Sequence, residues 1–141
     1  MRTTGSCYCG ELKFAIEFDE SKAFRGQCHC LPCQKIAGGS PNVFMTVPET
    51  GFAYTAGQPA QYKRPDLDNA VTREFCGACG TPILTRNPHE APGLLILKAG
   101  ALDDPTVYGE PRLAIHVADK QQYHYLPESL PAVPRLPGGQ K

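Results

Sequence analysis

Seven cysteines gathered into three tight groups constrain this chain more than any other feature. Cys7 and Cys9 form C-x-C, Cys28, Cys30 and Cys33 form C-x-C-x-x-C, and Cys76 and Cys79 form C-x-x-C. Cysteines serving only as scattered buried or surface residues would fall at irregular intervals. Seven is odd, so a fully paired disulfide framework fails by arithmetic. The opening Met1-Arg2-Thr3-Thr4-Gly5-Ser6 has no apolar run of the kind a secretory leader needs. Reduced thiols and a cytoplasmic location are therefore expected, and thiols at these spacings point to metal binding.

The 141 residues make about one domain. Fourteen Lys and Arg balance fourteen Asp and Glu. A nucleic-acid binder would show a basic excess, so no nucleic-acid partner is expected. The longest clean apolar run, Leu94 to Leu97, falls far short of the roughly 18 residues of a membrane span. Fourteen Gly and fourteen Pro exclude a coiled coil or long-helix bundle. Short strands are expected instead. Leu12, Phe14, Ile16 and Phe18 alternate with polar or small residues, and Asn42 to Val47 is β-branched and aromatic up to Pro48. Phe52–Thr55, Gln61–Lys63, Ala70–Phe75, Ile83–Thr85, Leu94–Lys98 and Leu113–Val117 read the same way, separated by turn signals. Only Cys33 to Ala37 suggests helix. The expected fold class is mainly β with antiparallel sheets, zinc knuckles and at most one short helix. Residues 1–126 form a single domain in this reading, and 127–141 a Pro/Gly-rich C-terminal extension.

The thiols divide four and three. Cys7-Tyr8-Cys9-Gly10 and Cys76-Gly77-Ala78-Cys79-Gly80 each place Gly after the last Cys, where a metal knuckle needs a tight, positive-φ turn. Together they offer four thiolates, a closed tetrahedral zinc shell of the structural kind. Cys28-His29-Cys30-Leu31-Pro32-Cys33 has no such Gly. Pro32 favours a first helical turn, placing Cys33 near a helix N-terminus, where a thiolate is stabilised. Three thiolates leave one zinc position for water or substrate, which is the catalytic kind of shell. Other partitions remain open: His29 closing a Cys₃His site, the first cluster pairing with the second, or an iron–sulfur cluster. Because neighbours on a strand alternate, His29 is expected to face away from Cys28 and Cys30 as a neighbour or a surface residue.

Zinc held by three thiolates carries net negative charge and activates water poorly, but it suits a thiol as fourth ligand. That suggests chemistry on carbon–sulfur bonds of a small thiol. The alternatives are a non-enzymatic zinc-stabilised binding or scaffold module with a vestigial open site, and a redox enzyme using Cys33 or Cys28.

The run G-S-C-Y-C-G at Gly5–Gly10, then C-H-C-L-P-C-Q-K at Cys28–Lys35 with Gly39-Ser40, then R-E-F-C-G-A-C-G-T at Arg73–Thr81 and G-A-L-D-D-P at Gly100–Pro105 resemble one known family. It is the glutathione-dependent formaldehyde-activating enzyme family, which includes centromere protein V, and the resemblance covers roughly residues 4 to 126. The resemblance implies a β-tent fold and two zinc ions. By motif match, Cys7, Cys9, Cys76 and Cys79 hold the structural ion and Cys28, Cys30 and Cys33 the catalytic one. It also implies a carbon–sulfur lyase of the S-(hydroxymethyl)glutathione synthase type, joining glutathione and formaldehyde or running in reverse. The family often carries a Trp after its late His and Lys; here Lys120 is followed by Tyr123, His124 and Tyr125.

An anionic thiol such as glutathione calls for cations and free N–H groups. Lys35 is the leading candidate, with Gly39 and Ser40 offering backbone N–H groups to a carboxylate. Arg25, Arg73 and Arg86 lie near the zinc motifs. His116 is a weaker pocket candidate within an apolar strand. His89 is expected to face solvent, and Tyr123 and Tyr125 to serve packing.

Overall fold

A computed structural model describes residues 1–136. Pro137, Gly138 and Gly139 of the expected extension lie outside the described residues. Ten strands and one short helix follow in chain order: β1 (Arg2–Ser6), β2 (Lys13–Glu17), β3 (Arg25–Cys28), α1 (Leu31–Ile36), β4 (Asn42–Pro48), β5 (Phe52–Ala56), β6 (Ala60–Tyr62), β7 (Thr72–Phe75), β8 (Pro82–Arg86), β9 (Leu94–Lys98) and β10 (Leu113–Ile115). The fold is mainly β, as the residue patterns predict. None of its helices is long and apolar enough to cross a membrane.

The strands form two sheets: three strands in the order β1-β2-β5, and seven in the order β10-β3-β4-β9-β8-β7-β6. Every pairing is antiparallel except β10 with β3, which is parallel. Two strands carry no sequence signal. Arg-Thr-Thr-Gly-Ser and Arg-Gly-Gln-Cys lack apolar alternation, and each is held by its neighbours' ladders, β1 against β2 and β3 between β10 and β4. Pairing context overrides weak intrinsic β preference in this way. β10 is shorter than the expected Leu113–Val117 because His116 turns into the left-handed region, φ 55°.

Strand β4 organises the interior. Its residues alternate in direction, and both directions are buried. Met45 and Val47, with Leu95 and Leu97 from β9, join Leu12, Phe14 and Ile16 in a core between the two sheets. Phe44 points the other way and packs with Ile96, Leu113 and Ile115 on the outer face of the large sheet. Residues 131–136 cover part of that outer face. The Val133 N–H donates to the Ala114 carbonyl at 2.9 Å, the Ala114 N–H donates to the Pro131 carbonyl at 2.9 Å, and Val133 and Leu136 pack against the Phe44–Ile115 cluster.

Two close contacts tie the small sheet down. Gly5 pairs with Phe14, and a Cβ there would meet the Phe14 ring at 2.0 Å and the Ala101 carbonyl at 2.4 Å. At the sheet's other end, buried Glu74 accepts from Tyr54 at 2.8 Å and Gln61 at 2.7 Å and pairs with Arg86 at 2.5 Å. Burial pushes its carboxyl up, but Arg86, Gln61 and Tyr54 together hold it below the usual carboxylate range.

Two outcomes are expected. Gly5→Ala should destabilise by about 1–3 kcal/mol through overpacking, read as a fall in the urea midpoint. A carboxylate with a lowered folded-state pKa contributes stability above its unfolded pKa and loses it as pH falls through the folded value. Glu74→Gln should therefore cost about 2 kcal/mol at pH 7 and flatten the acid limb of stability against pH below about 4.5. Denaturation at pH 7 and pH 3.5 tests both parts.

Candidate metal centres and cavity

The four-sulfur cluster is built from two strand-connecting turns. Cys7 and Cys9 lie between β1 and β2, and Cys76 and Cys79 between β7 and β8. Each knuckle closes on a left-handed glycine, Gly10 at φ 83° and Gly80 at φ 81°. The Gly10 N–H donates to the Cys7 carbonyl at 3.1 Å and the Gly80 N–H to the Cys76 carbonyl at 2.8 Å. All four sulfurs lie within 4.8 Å of one another. Cys7 and Cys9 are 3.5 Å apart, and Cys9 and Cys76 are 3.8 Å apart. A zinc–sulfur bond of about 2.3 Å requires tetrahedral sulfur–sulfur edges of roughly 3.8 Å, so the donor set fits zinc. The Leu12 N–H donates to Cys7 Sγ at 3.3 Å. Thr81 lies 3.2 Å from Cys79 Sγ and accepts from the Tyr8 N–H at 3.0 Å, joining the two knuckles. Its hydrogen bond is the chief cause that pulls the Cys79 thiol down to about 5, which favours the thiolate a metal needs.

The other three cysteines converge on the opposite face of the large sheet. Cys28 ends β3, Cys30 caps α1, and Cys33 sits in its first turn beside Pro32. Their sulfurs lie within 4.8 Å of one another, and no fourth His, Cys, Asp or Glu joins them among the described residues. The chain thus groups four and three, and neither His29 closure nor a pairing of the first two clusters occurs. The three sulfurs do not titrate alike. Hydrogen bonds from Cys28 and then Cys33 pull Cys30 down to about 2, while hydrogen bonding to Cys30 pushes Cys28 up. The Cys33 backbone N–H serves Cys30; against the pull of a Cys28 hydrogen bond, hydrogen bonding to Cys30 and burial push the Cys33 thiol up to about 11.

His29 faces away from the sulfurs, as alternation predicts, but it is fully buried rather than at the surface. His124 Nε2 lies 2.6 Å from the Gly39 carbonyl, which only accepts, so that nitrogen carries the proton. His124 Nδ1 accepts from the Gln121 N–H at 3.1 Å and from His29 Nδ1, 3.2 Å away. His29 is thereby fixed with its proton on Nδ1, and its buried Nε2 has no hydrogen-bond partner. Gln34 donates to the carbonyls of His29 and Asp119, both at 2.8 Å. This network fastens the cysteine-bearing segment to residues 119–124.

The trio opens on a cavity of about 440 Å³. Strand alternation and register explain its wall. Arg73, Thr85, Ile96 and Thr46 are successive cross-strand partners on β7, β8, β9 and β4, and all four line it. Two places along the strands, Lys98 stands on the same face as Ile96. It is buried, and its ammonium donates to Asn42 Oδ1 at 2.8 Å. Burial brings Lys98 down to about 8, against the pull of Cys33 and with a push from Arg73. His116 also lines the cavity, in a left-handed conformation that costs a non-glycine residue energy and that recurs at functional sites.

The expected substrate residues divide. Lys35 is exposed and does not line this cavity. Gly39 and Ser40 line a separate cleft with Tyr123 and Tyr125; both tyrosines are largely exposed, and Tyr123 sets its ring edge-on against His124 at 4.7 Å. Arg25 is buried, directed at the Glu20 and Ala23 carbonyls, and Arg86 belongs to Glu74. Exposed His89 is on the cavity rim. Lys98 is not among the expected residues, although the run Leu94-Leu95-Ile96-Leu97-Lys98 places it in phase with Ile96.

Among known proteins, no curated protein matches. A crystal structure of a Rhodobacter sphaeroides protein is similar in fold, with a TM-score of 0.61 at 19% identity over 77% of this chain and 96% of that one. The family model described as glutathione-dependent formaldehyde-activating enzyme matches residues 2–119, a span that takes in all seven cysteines. The chain belongs to the glutathione-dependent formaldehyde-activating enzyme family.

Proposed function

We propose that the protein is a zinc-dependent carbon–sulfur lyase-type enzyme acting on a small thiol, with the family's glutathione and formaldehyde reaction as its template. The observation that carries this reading is the incomplete sulfur shell. Cys28, Cys30 and Cys33 converge without a fourth protein ligand and line a cavity large enough for a substrate. In the same reading Cys7, Cys9, Cys76 and Cys79 hold a structural zinc. The chemistry supplied by a bound catalytic zinc is loss of the substrate thiol's proton with retention of a nucleophilic sulfur.

The chain's own residues support that chemistry. Lys98 offsets the surplus negative charge of three thiolates on a divalent ion. Phe44, Ile96 and Ile115 wall the cavity with apolar surface and limit water. In the forward direction a carbon–sulfur bond forms, the carbonyl π bond breaks, and the oxygen takes up a proton while the thiol gives one up. His116, on the same wall, is the side chain placed to pass it.

The purified protein should contain two zinc ions per chain by elemental analysis, matching its two sulfur groups. Cys33→Ser should retain one ion and the fold, and its exchange between glutathione and its hydroxymethyl adduct, read by exchange spectroscopy with formaldehyde, should fall to the uncatalysed rate. Full exchange in Cys33→Ser, or hydrolysis of esters without any thiol, overturns the proposal. His124→Ala removes the acceptor that fixes His29. It should weaken the second zinc site in chelator competition by loosening the segment that carries the trio, while leaving the four-sulfur site unchanged.

A further inference from the structure

The cavity at the sulfur trio differs in character from glutathione. Glutathione carries two carboxylates, an ammonium and two peptide groups, each needing a polar partner when taken from water. The inner wall offers few. Phe24, Phe44, Ile96, Leu113, Ile115 and Leu136 line the side next to the cysteines, and all but Leu136 lie on the large sheet or directly against it. Leu136 belongs to the segment laid over that face by the Val133–Ala114 ladder, so the chain adds apolar surface to the cavity.

The charged lining residues are mostly committed. Arg64 is held by Asp66 at 2.9 Å. Exposed Lys22 lies 4.0 Å from Asp19. Glu90 is the one acid on the wall and is exposed at the rim, so an ammonium group would find no buried carboxylate there. Arg73 is different. It is half-buried, sits in the cross-strand row with Thr85, Ile96 and Thr46, and its guanidinium has no ion pair or hydrogen bond among the described residues. Its strand neighbour Glu74 points to the opposite face and is taken by Arg86, so nothing on β7 neutralises it.

We infer that this cavity selects a thiol with a compact apolar or aromatic body and a single anionic group, the anion pairing with Arg73 and the body lying against the Phe44–Ile96–Ile115 wall, in preference to a zwitterionic tripeptide. Arg73 is then the specificity-determining residue: a guanidinium presents paired N–H donors to a carboxylate, and an apolar wall favours a ligand that gives up little hydration. The inference rests on the open-shell reading of the trio for its sulfur and on the cavity wall alone for the rest of the molecule.

The test is binding to the zinc-loaded protein by titration calorimetry with four probes: 3-phenyl-2-sulfanylpropanoate, its thiol-free counterpart 3-phenylpropanoate, neutral benzyl mercaptan, and glutathione. The aromatic thiol carboxylate should bind at least tenfold tighter than glutathione. Arg73→Ala should weaken both carboxylates by about tenfold and leave benzyl mercaptan unchanged, and Arg73→Lys should restore part of the loss. Tighter binding of glutathione, or indifference of the carboxylates to Arg73→Ala, overturns the inference and leaves the proposed enzyme class standing. Equal affinity for the thiol and thiol-free carboxylates, with Arg73 dependence intact, upholds the inference about cavity chemistry and overturns the role of the trio in holding a substrate sulfur.

Discussion

Burial of strand β4 on both of its faces is the constraint from which the rest of the molecule follows. A two-sided apolar strand needs cover on each side. The three-stranded sheet covers one side with Phe14 and Ile16. The other side is covered only in part, by the segment through Val133 and Leu136 and by the cysteine trio. Where the cover stops, a cavity remains, and its floor is the trio.

The same division separates the two sulfur groups in position. The four-sulfur cluster grows out of two connecting turns and joins the core between the sheets through Cys7, Cys76 and Cys79. Its sulfurs lie within 4.8 Å of one another, Leu12 and Thr81 hydrogen-bond to two of them, and it links residues near the start of the chain to the β7–β8 turn. The trio instead ends a strand, caps a short helix, and stands at the edge of a cavity. Its supports come from behind, through Gln34 and the His29–His124 contact. One arrangement brings four protein sulfurs together, and the other brings three together at the edge of the cavity.

Lys98 and Arg73 show how a sheet face assembles a site. They lie on different strands, 25 positions apart, and share one face because register brings β7, β8 and β9 side by side. Lys98 is buried and bonded to Asn42, and Arg73 stands further along the same face without an ion pair or hydrogen bond among the described residues. Neither residue stands out on its own strand. Arg73 brings positive charge to the cavity wall, while Phe44, Ile96 and Ile115 bring apolar surface.

Much of this was legible in the residues. Cysteine spacing and the glycines after Cys9 and Cys79 point to the knuckles, because only a tight left-handed turn puts such close thiols on one centre. Alternation at Phe14 and Ile16 and the apolar run Leu94–Leu97 mark strands, and Pro32 marks the start of the helix beside Cys33. Tertiary structure alone decided the rest. β1 and β3 are strands because their neighbours' ladders hold them, against their own composition. His29 is interior because residues from the far end of the chain, His124 above all, close over it. Lys35 lies beside the trio in sequence but faces solvent, whereas Lys98, 65 positions from Cys33, is buried within electrostatic reach of it. Local spacing carries the chemistry of a ligand set, since ligands of one turn move together. The surroundings of that set are decided by strand register, which joins residues distant along the chain.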